Sequence, residues 1–365
     1  MAESPSPGYD PDAFAKAKER RALDLEELAA ALTGTLARRL GVTDVEVRDL
    51  VVPDGAGTSS GTVLFDASWT TADDTRVDRG LVARTHPDKV QLFREPDFKK
   101  QFTVIDTLHR EDRVKVAEAL FYEDDASVIG VPFFVMSKLR GWVPISFPGY
   151  NVEGRIVDAS PAERRGLWES AMDELCRIAM VPIDGFGFLD QPELGDRAVD
   201  QQLEYWRQSV DFSTGGQTPD PVWAMYEWLA AHVPADATNG FTWGDARIGN
   251  MMFGDDLRLV GVMDWEQANL SGIRMDLAWW LYFDEFHSTA RGLTRLDGLG
   301  TRDETIAYWE DRTGETAGDL TWYEVFTGFQ VGLLSFRTMS ILGAPNALDY
   351  EGNLGFSIAR RRLGW

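Results

Sequence analysis

Hydrophobic residues in the first part of the chain follow helical spacing in some segments and alternate as in strands in others. Leu25, Leu28, Leu32, Leu36 and Leu40 recur at steps of three and four residues before a glycine, which predicts an amphipathic helix with a glycine stop. The segments VEVRDLVV, TVLFDASW and GLVART predict three strands of an antiparallel sheet. A second helix is predicted over residues 97–110, and two further strands lie in VAEALFYE and VPFFVMSKL. This part of the chain is therefore predicted to be α+β.

The hydrophobic spacing becomes mostly helical from Ser160 onward. Ser160, Pro161 and Glu163 combine an N-cap residue, a proline at the first helical position and the glutamate of a capping box. Further helices are predicted around residues 197–210, 221–232, 275–286, 303–312 and 320–341, with no internal repeat. The change of pattern predicts a mobile N-terminal arm over residues 1–22, an N-terminal lobe over 23–139 and a helical C-terminal lobe over 140–365.

Composition and charge limit the classes of function. The 365 residues suffice for about two domains, and a hydrophobic fraction of 44% provides material for their cores. The net charge of −23 would repel a phosphate backbone, so nucleic acid is not expected as a partner. A single cysteine, Cys176, excludes an intramolecular disulfide and a zinc site built from several thiolates. The sequence shows neither a signal peptide nor a membrane-spanning segment, and a cytoplasmic location without membrane partners is the expectation.

One island without helical spacing, residues 241–266, carries the candidate chemistry. It reads FTWGDARIGNMMFGDDLRLVGVMDWE, in which MMF and LRLVGVM flank the turn GDD like a short hairpin. A hairpin would bring Asp245 and Asn250, which precede it, close to Asp264, which follows it. These side chains are the oxygen ligands and the carboxylate base that magnesium and a reacting hydroxyl group require. The alternative is that these aspartates only cap turns.

The island resembles the catalytic segment of the aminoglycoside phosphotransferase and choline kinase-like branch of the protein-kinase superfamily, in which HGDxxxxN precedes a metal-binding aspartate. The resemblance implies a bilobal protein kinase-like fold of the α+β class that uses ATP, or GTP as the alternative, together with Mg2+. It implies that Asp245 takes the proton of the acceptor hydroxyl group and that Asn250 and Asp264 bind the metal ions. Arg247 stands where protein kinases carry a lysine that faces the phosphate.

Three segments of the N-terminal lobe resemble the nucleotide-binding parts of the same family. The loop DGAGTSSG would place the backbone at Gly55 and Gly57 against the phosphates, although a plain hairpin turn would use the same residues. Arg84 matches the basic residue that pairs the α- and β-phosphates. Its expected glutamate partner is replaced by Gln101, which can form a hydrogen bond but cannot neutralise the arginine, and Glu95 is the alternative partner.

The run VPFFVMSKLRG resembles the segment that joins the two lobes in this family. The resemblance implies that the carbonyl group of Ser137 and the amide of Leu139 bind the edge of the adenine ring. The four apolar residues before Ser137 are also expected to form a buried strand, which is compatible with that role.

The sequence departs from the family pattern at a few positions. Trp243 replaces the histidine that opens the catalytic loop, and we expect the packing there to change while Asp245 keeps its role. Asp276 stands at a predicted helix start, where capping or support of the catalytic loop is expected rather than chemistry. Trp279 belongs to an aromatic run that is either helix core or part of an acceptor pocket, and the core is favoured.

The sequence thus indicates an ATP- and Mg2+-dependent transfer of a phosphoryl group to the hydroxyl group of a small molecule. Two alternatives stay open: a nucleotide-binding pseudokinase, which the departures at Trp243 and Gln101 would suit, and a kinase for a non-antibiotic acceptor such as a hydroxyacyl thioester. The oligomeric state also stays open.

Overall fold

The computed structural model describes residues 25–53, 61–86, 91–146 and 148–365, which form two compact units. The predicted arm over residues 1–22 lies outside these ranges. The first unit contains the described residues up to Phe102, together with Ala117–Leu139 and Thr338–Ala347. The second contains Thr103–Val116, Arg140–Arg337 and Leu348–Trp365.

The first unit is built on a five-stranded antiparallel sheet. Helix α1 (Leu25–Leu40) precedes the strands in the chain, which run in the order β1-β2-β3-β5-β4 across the sheet. The strands are β1 (Thr43–Val51), β2 (Gly61–Thr70), β3 (Arg76–Thr85), β4 (Ala119–Glu123) and β5 (Phe133–Ser137). Helix α2 (Phe98–Glu111) begins in this unit and continues into the second.

Alternation along the strands produces the core of this unit. One side chain in two along β2 faces inward and packs with one face of α1, because successive side chains of a strand point to opposite faces. The buried residues of this cluster are Leu28, Leu32, Leu36, Val63, Phe65, Ala67, Trp69, Leu81, Ala83, Phe121, Phe133 and Val135.

The second unit is mostly helical. Its helices are α3 (Arg155–Asp158), α4 (Pro161–Ala179), α5 (Ala198–Thr214), α6 (Asp220–Ala231), α7 (Ile273–His287), α8 (Arg302–Thr313), α9 (Thr321–Ile341) and α10 (Leu354–Leu363). The part of α9 up to Arg337 belongs to this unit, and its last residues belong to the first unit. Short 3-10 turns cover Ile183–Leu189, Ile248–Asn250 and Thr289–Arg291. A hairpin of β6 (Met251–Phe253) and β7 (Leu259–Val262) interrupts the helices.

The α+β class predicted from the sequence is confirmed. The predicted capping box is present, because the hydroxyl group of Ser160 accepts from the Glu163 amide and the Glu163 carboxylate accepts from the Ser160 amide. Gly41 ends α1 with a φ of 65°, a conformation that glycine adopts at little cost. Helix α10 was not predicted from the sequence. Within the described ranges, no helix combines the length and apolar character needed to cross a membrane.

Candidate functional site

The predicted base and one predicted metal ligand lie in direct contact. The 3-10 turn Ile248–Asn250 folds the chain back after Arg247, whose carbonyl oxygen accepts from the Asn250 amide. The Nδ2 group of Asn250 donates to the carbonyl oxygen of Asp245 at 3.2 Å and to its Oδ2 atom at 2.6 Å. Because Asn250 is 3% exposed, these bonds form away from bulk solvent and hold the carboxylate firmly.

The hairpin brings the third predicted residue to the same end of the strands. Met251 of β6 pairs with Val262 of β7, and the Met263 amide donates to the Asn250 carbonyl oxygen at 2.9 Å. Asp264 follows directly, half-buried, with a φ of 57°. Backbone conformations of this kind in residues other than glycine concentrate at functional sites. The convergence that the hairpin pattern predicted is therefore present in the backbone.

Arg247 contacts Asp245, the predicted base. Its Nε group donates to Oδ1 of Asp245 at 3.1 Å, and its Nη1 group donates to the hydroxyl group of Ser146 at 3.1 Å. The guanidinium carbon lies 5.7 Å from the ring centre of Phe283. The side chains of Arg247 and Asp245 are 19% and 17% exposed, so the pair is only partly screened by water. The predicted role of Arg247 toward a phosphate stays a prediction.

Trp279 of α7 makes a contact that sequence reasoning missed. Its indole Nε1 group donates to Oδ1 of Asp245 at 2.9 Å, and its ring stacks on Phe283 with centroids 5.5 Å apart. Trp279 is 2% exposed, as the core interpretation predicted, but its polar atom reaches the site. A signal for this existed, since Trp279 lies three residues after Asp276 and therefore on the same helix face.

Asp276 supports the backbone of the predicted catalytic loop, residues 243–250, as was expected of a residue at this helix start. Its two carboxylate oxygens accept from the amides of Trp243 at 2.7 Å and Gly244 at 2.9 Å. Burial, with a smaller contribution from the charge of Asp245, raises the pKa of Asp276 to about 7 against the opposing effect of these two amides.

Trp243 ties the loop to the segment that carries Asp264. Its indole Nε1 group donates to the carbonyl oxygens of Met263 at 2.9 Å and Asp264 at 3.0 Å. Trp243 is fully buried and packs against Trp265 with ring centroids 5.6 Å apart. The indole ring of Trp243 thus occupies the position of the family's histidine, where it packs against Trp265 and donates to two carbonyl oxygens. Asp245 still lies beside Asn250.

The first unit carries the residues predicted to bind the nucleotide. Gly55 and Gly57 lie outside the described residues. Arg84 pairs with Thr62 across β2 and β3, and its Nη1 group lies 3.5 Å from the Thr62 hydroxyl group. Gln101 is 3% exposed, and its Oε1 atom accepts no hydrogen bond from any described residue.

The hydrogen bond that Gln101 could offer to Arg84 is therefore not formed in the structure. Gln101 lies on the buried side of α2, whereas the guanidinium group of Arg84 reaches Thr62 on the neighbouring strand. The alternative partner, Glu95, accepts from its neighbour Arg94. The roles of Arg84 and Gln101 toward a nucleotide stay predictions.

Ser137 ends β5, in which Phe133, Phe134 and Val135 are buried as predicted and Met136 is only half-buried. Its amide donates to the carbonyl oxygen of Glu118 at 2.8 Å, and its hydroxyl group accepts from the Glu118 amide at 2.9 Å. Leu139 is the last residue of its segment in the first unit. The adenine-binding roles of the Ser137 carbonyl group and the Leu139 amide stay predictions.

The side-chain oxygens of Asn250 and Asp264 are suitable ligands for a hard cation that also binds phosphate. Asn250 uses its Nδ2 group on Asp245, so its Oδ1 atom, the oxygen that a metal ion would bind, accepts no hydrogen bond from the described part of the chain. Across the described ranges, no group of three or more His, Cys, Asp or Glu side chains is arranged to hold a metal ion. Magnesium commonly takes one or two protein oxygens together with substrate phosphates, which fits Asn250 and Asp264.

Comparison with known proteins gives a consistent result. A model of the phosphotransferase enzyme family matches residues 59–311. Among curated proteins, the acyl-CoA dehydrogenase family member 10 of Mus musculus is 25% identical over 205 residues, which are 55% of this chain and 18% of that protein. The chain thus spans about a fifth of the length of this relative.

Solved structures show the same fold. A candidate aminoglycoside phosphotransferase from Ralstonia eutropha has a TM-score of 0.63 at 22% identity, with 91% of this chain and 98% of that chain covered. An aminoglycoside phosphotransferase in ternary complex with AMP-PNP and hygromycin B has a TM-score of 0.52 at 15% identity, with 91% and 98% covered. These likenesses confirm the predicted kinase-like fold.

Proposed function

Because this chain belongs to the phosphotransferase enzyme family, we propose that it transfers the γ-phosphoryl group of ATP to a hydroxyl group of a small molecule. The observation that supports this most strongly is the direct contact of Asp245 with Asn250 beside the hairpin end that carries Asp264. A carboxylate that can take a proton and two oxygen ligands for a cation are the groups that phosphoryl transfer needs.

Asp245 acts as the base in this proposal. The hydroxyl oxygen of the acceptor forms a bond to the γ-phosphorus atom while the bond from phosphorus to the oxygen of the leaving ADP breaks. The hydroxyl proton passes to the carboxylate of Asp245, so charge and atoms balance. Loss of a positioned general base lowers turnover by roughly 10²- to 10⁴-fold.

Two arginines offset the negative charge of the nucleotide in this proposal. Arg84 binds the α- and β-phosphates, and Arg247 faces the transferred group through its Nη groups while its Nε group keeps its bond to Oδ1 of Asp245. A guanidinium group suits both tasks because it stays charged and presents several donors in a fixed plane.

Asn250 and Asp264 would hold Mg2+ in this proposal. When bound, the cation would supply electrostatic stabilisation of the negative charge on the transferred group. The backbone bond from the Met263 amide to the Asn250 carbonyl oxygen keeps the two ligands on neighbouring strand ends.

Two acceptor classes have specific support. An antibiotic acceptor is favoured by likeness to a phosphotransferase bound to hygromycin B. An acyl-CoA-type acceptor, such as a hydroxyacyl thioester, is favoured by the curated relatives of the acyl-CoA dehydrogenase family. The fold does not choose between them, because unrelated acceptors are used on the same scaffold.

The test is coupled ADP production with ATP and Mg2+ over a panel of aminoglycosides, macrolides, amino alcohols and hydroxyacyl thioesters. We expect one class to stimulate ADP release, and Asp245→Ala to reduce the stimulated rate by roughly 10²- to 10⁴-fold. Near-normal turnover in that variant would refute the role of Asp245.

Asp255→Ala is the matched control. Asp255 lies in the turn of the same hairpin, its side chain is 93% exposed, and its partner is Arg155 rather than any residue of the site. This variant should keep the wild-type rate. ATP binding without acceptor-stimulated ADP release across the panel would favour the pseudokinase instead.

A further inference from the structure

We propose that Trp279 is a positioning residue that orients the Asp245 carboxylate so that its Oδ2 atom, and not Oδ1, takes the acceptor proton. This inference rests on the proposed role of Asp245 as the base. It concerns a residue outside the catalytic loop, contributed by helix α7.

The hydrogen bonds at Asp245 divide unequally between its two oxygens. Oδ1 accepts from the indole Nε1 group of Trp279 at 2.9 Å and from the Nε group of Arg247 at 3.1 Å. Oδ2 accepts from the Nδ2 group of Asn250 at 2.6 Å. Each carboxylate oxygen offers about two acceptor sites. Within the described part of the chain, Oδ1 therefore has both of its sites engaged, and Oδ2 keeps one for a hydroxyl group.

The hydrogen bond from Trp279 orients the Asp245 carboxylate more rigidly than the hydrogen bond from Arg247 does. An indole group has a single polar hydrogen and only two side-chain torsions, and a buried tryptophan usually finds a partner for that hydrogen. Trp279 is 2% exposed and stacks on Phe283, so its indole ring is held in place and its Nε1 group points in one fixed direction. The guanidinium group of Arg247 has several donors and is 19% exposed, whereas Trp279 has a single donor, which is directed at Oδ1.

One face of helix α7 thus positions both the main chain beside Asp245 and the side chain of Asp245. Asp276 accepts from the amides of Trp243 and Gly244 and fixes the main chain just before Asp245. Trp279, one turn later on the same face, fixes the side chain of Asp245.

The test compares Trp279→Phe with Trp309→Phe in the full-length chain, using whichever acceptor supports transfer. Trp309 is also fully buried, but its Nε1 group has no hydrogen-bond partner among the residues that the structure describes, so this control reports the cost of trimming a buried indole alone. We expect Trp279→Phe to lower kcat by roughly 10- to 100-fold, the usual effect of losing a hydrogen bond to a charged group, with the KM values for ATP and acceptor unchanged. Trp309→Phe should keep the wild-type kcat.

A double-mutant cycle separates positioning from a structural role. If Trp279 acts through Asp245, Trp279→Phe should cost nothing further in an Asp245→Asn background. An equal loss of kcat in both backgrounds, or a Trp279→Phe variant indistinguishable from Trp309→Phe, would overturn the proposal. If the wild type transfers no phosphoryl group at all, the proposed function itself fails.

A second measurement needs neither activity nor a folded Trp279→Phe variant. In protein carrying ¹⁵N-labelled tryptophan, the Asp245→Asn substitution should move one indole N–H signal toward higher field, because an amide is a weaker acceptor than a carboxylate. Indole signals that stay unmoved in Asp245→Asn would contradict the contact on which the inference rests.

Discussion

Single residues of the second unit explain why the catalytic loop takes its shape. Gly244 has a φ of 90°, and a Cβ atom there would lie 2.4 Å from the carbonyl oxygen of Gln267. Only glycine fits this position, and its amide is free to meet Asp276. The buried Asp276 carboxylate is in turn satisfied by two backbone amides, which is the arrangement that a buried polar group requires.

Asp276 leads to a pH-dependent stability. Because its pKa is raised to about 7 in the folded state, protonated Asp276 stabilises the fold relative to the ionised form. This contribution is complete below the unfolded-state pKa near 4 and is lost as the pH rises through about 7. Asn cannot ionise, so the stability deficit of Asp276→Asn relative to wild type should shrink over that interval by about 1.4 kcal/mol per pH unit.

Urea denaturation of wild type and Asp276→Asn between pH 4.5 and 8 measures this difference. A deficit that stays constant or grows with pH would show that Asp276 is ionised throughout. The comparison of the two proteins removes the contribution of all carboxylates that they share.

In the candidate site, contacts between residues close in the sequence could be predicted, and contacts between separate elements could not. The spacing of Asp245, Asn250 and Asp264 around a hairpin is local in the chain, so the pattern alone predicted their convergence. The bond from Trp279 to Asp245 depends on how α7 packs on the loop, which periodicity does not encode. The absent hydrogen bond between Arg84 and Gln101 has the same origin, because it depends on the packing of α2 beside the sheet.

At the scale of elements, strongly patterned helices and strands were predictable and the last helix was not. Helix α4 has a capping box and a long apolar face, whereas α10 is short and ends in a run of arginines. It is a helix because its other face is buried, with Phe356, Ile358 and Ala359 inside the fold. Tertiary packing thus decides this element, as it does for most short helices.

Glycines in α9 allow this helix to approach α10 closely. A Cβ atom on Gly332 would lie 2.5 Å from the ring of Phe356, and one on Gly328 would lie 2.6 Å from the Cβ atom of Ala359. Both neighbours belong to α10, so the two helices pack almost backbone to backbone. Even one added methyl group therefore forces the helices apart.

Gly332→Ala should destabilise the protein by about 1–3 kcal/mol through overpacking. Gly34→Ala is the matched control, since Gly34 is an exposed residue inside α1 and a Cβ atom there would meet nothing within 4 Å. That change should stabilise by about 0.5–1 kcal/mol, because alanine favours a helix. Thermal unfolding of both variants measures the effects; a shift of the same sign in both would contradict this account of the α9–α10 contact.

At the scale of the whole molecule, the chain carries a net charge of −23 and matches the phosphotransferase enzyme family over residues 59–311. The charge disfavours polyanionic partners. The family and the fold fix the kind of reaction more firmly than the acceptor, because loops and side chains around a shared scaffold select the substrate. Motif order along the sequence was sufficient to predict both family and fold.

In the proposed reaction, Asp245 directs phosphoryl transfer to a hydroxyl group of the acceptor. The most direct test of this role is to incubate the protein with ATP labelled at the γ-phosphate, Mg2+ and the acceptor that stimulates ADP release, and to follow the label into the acceptor by mass spectrometry. We predict a phosphorylated acceptor with wild type and Asp255→Ala, and a rate lower by roughly 10²- to 10⁴-fold with Asp245→Ala. Label that appears only as inorganic phosphate, or that reaches the acceptor equally fast with Asp245→Ala, would contradict the account.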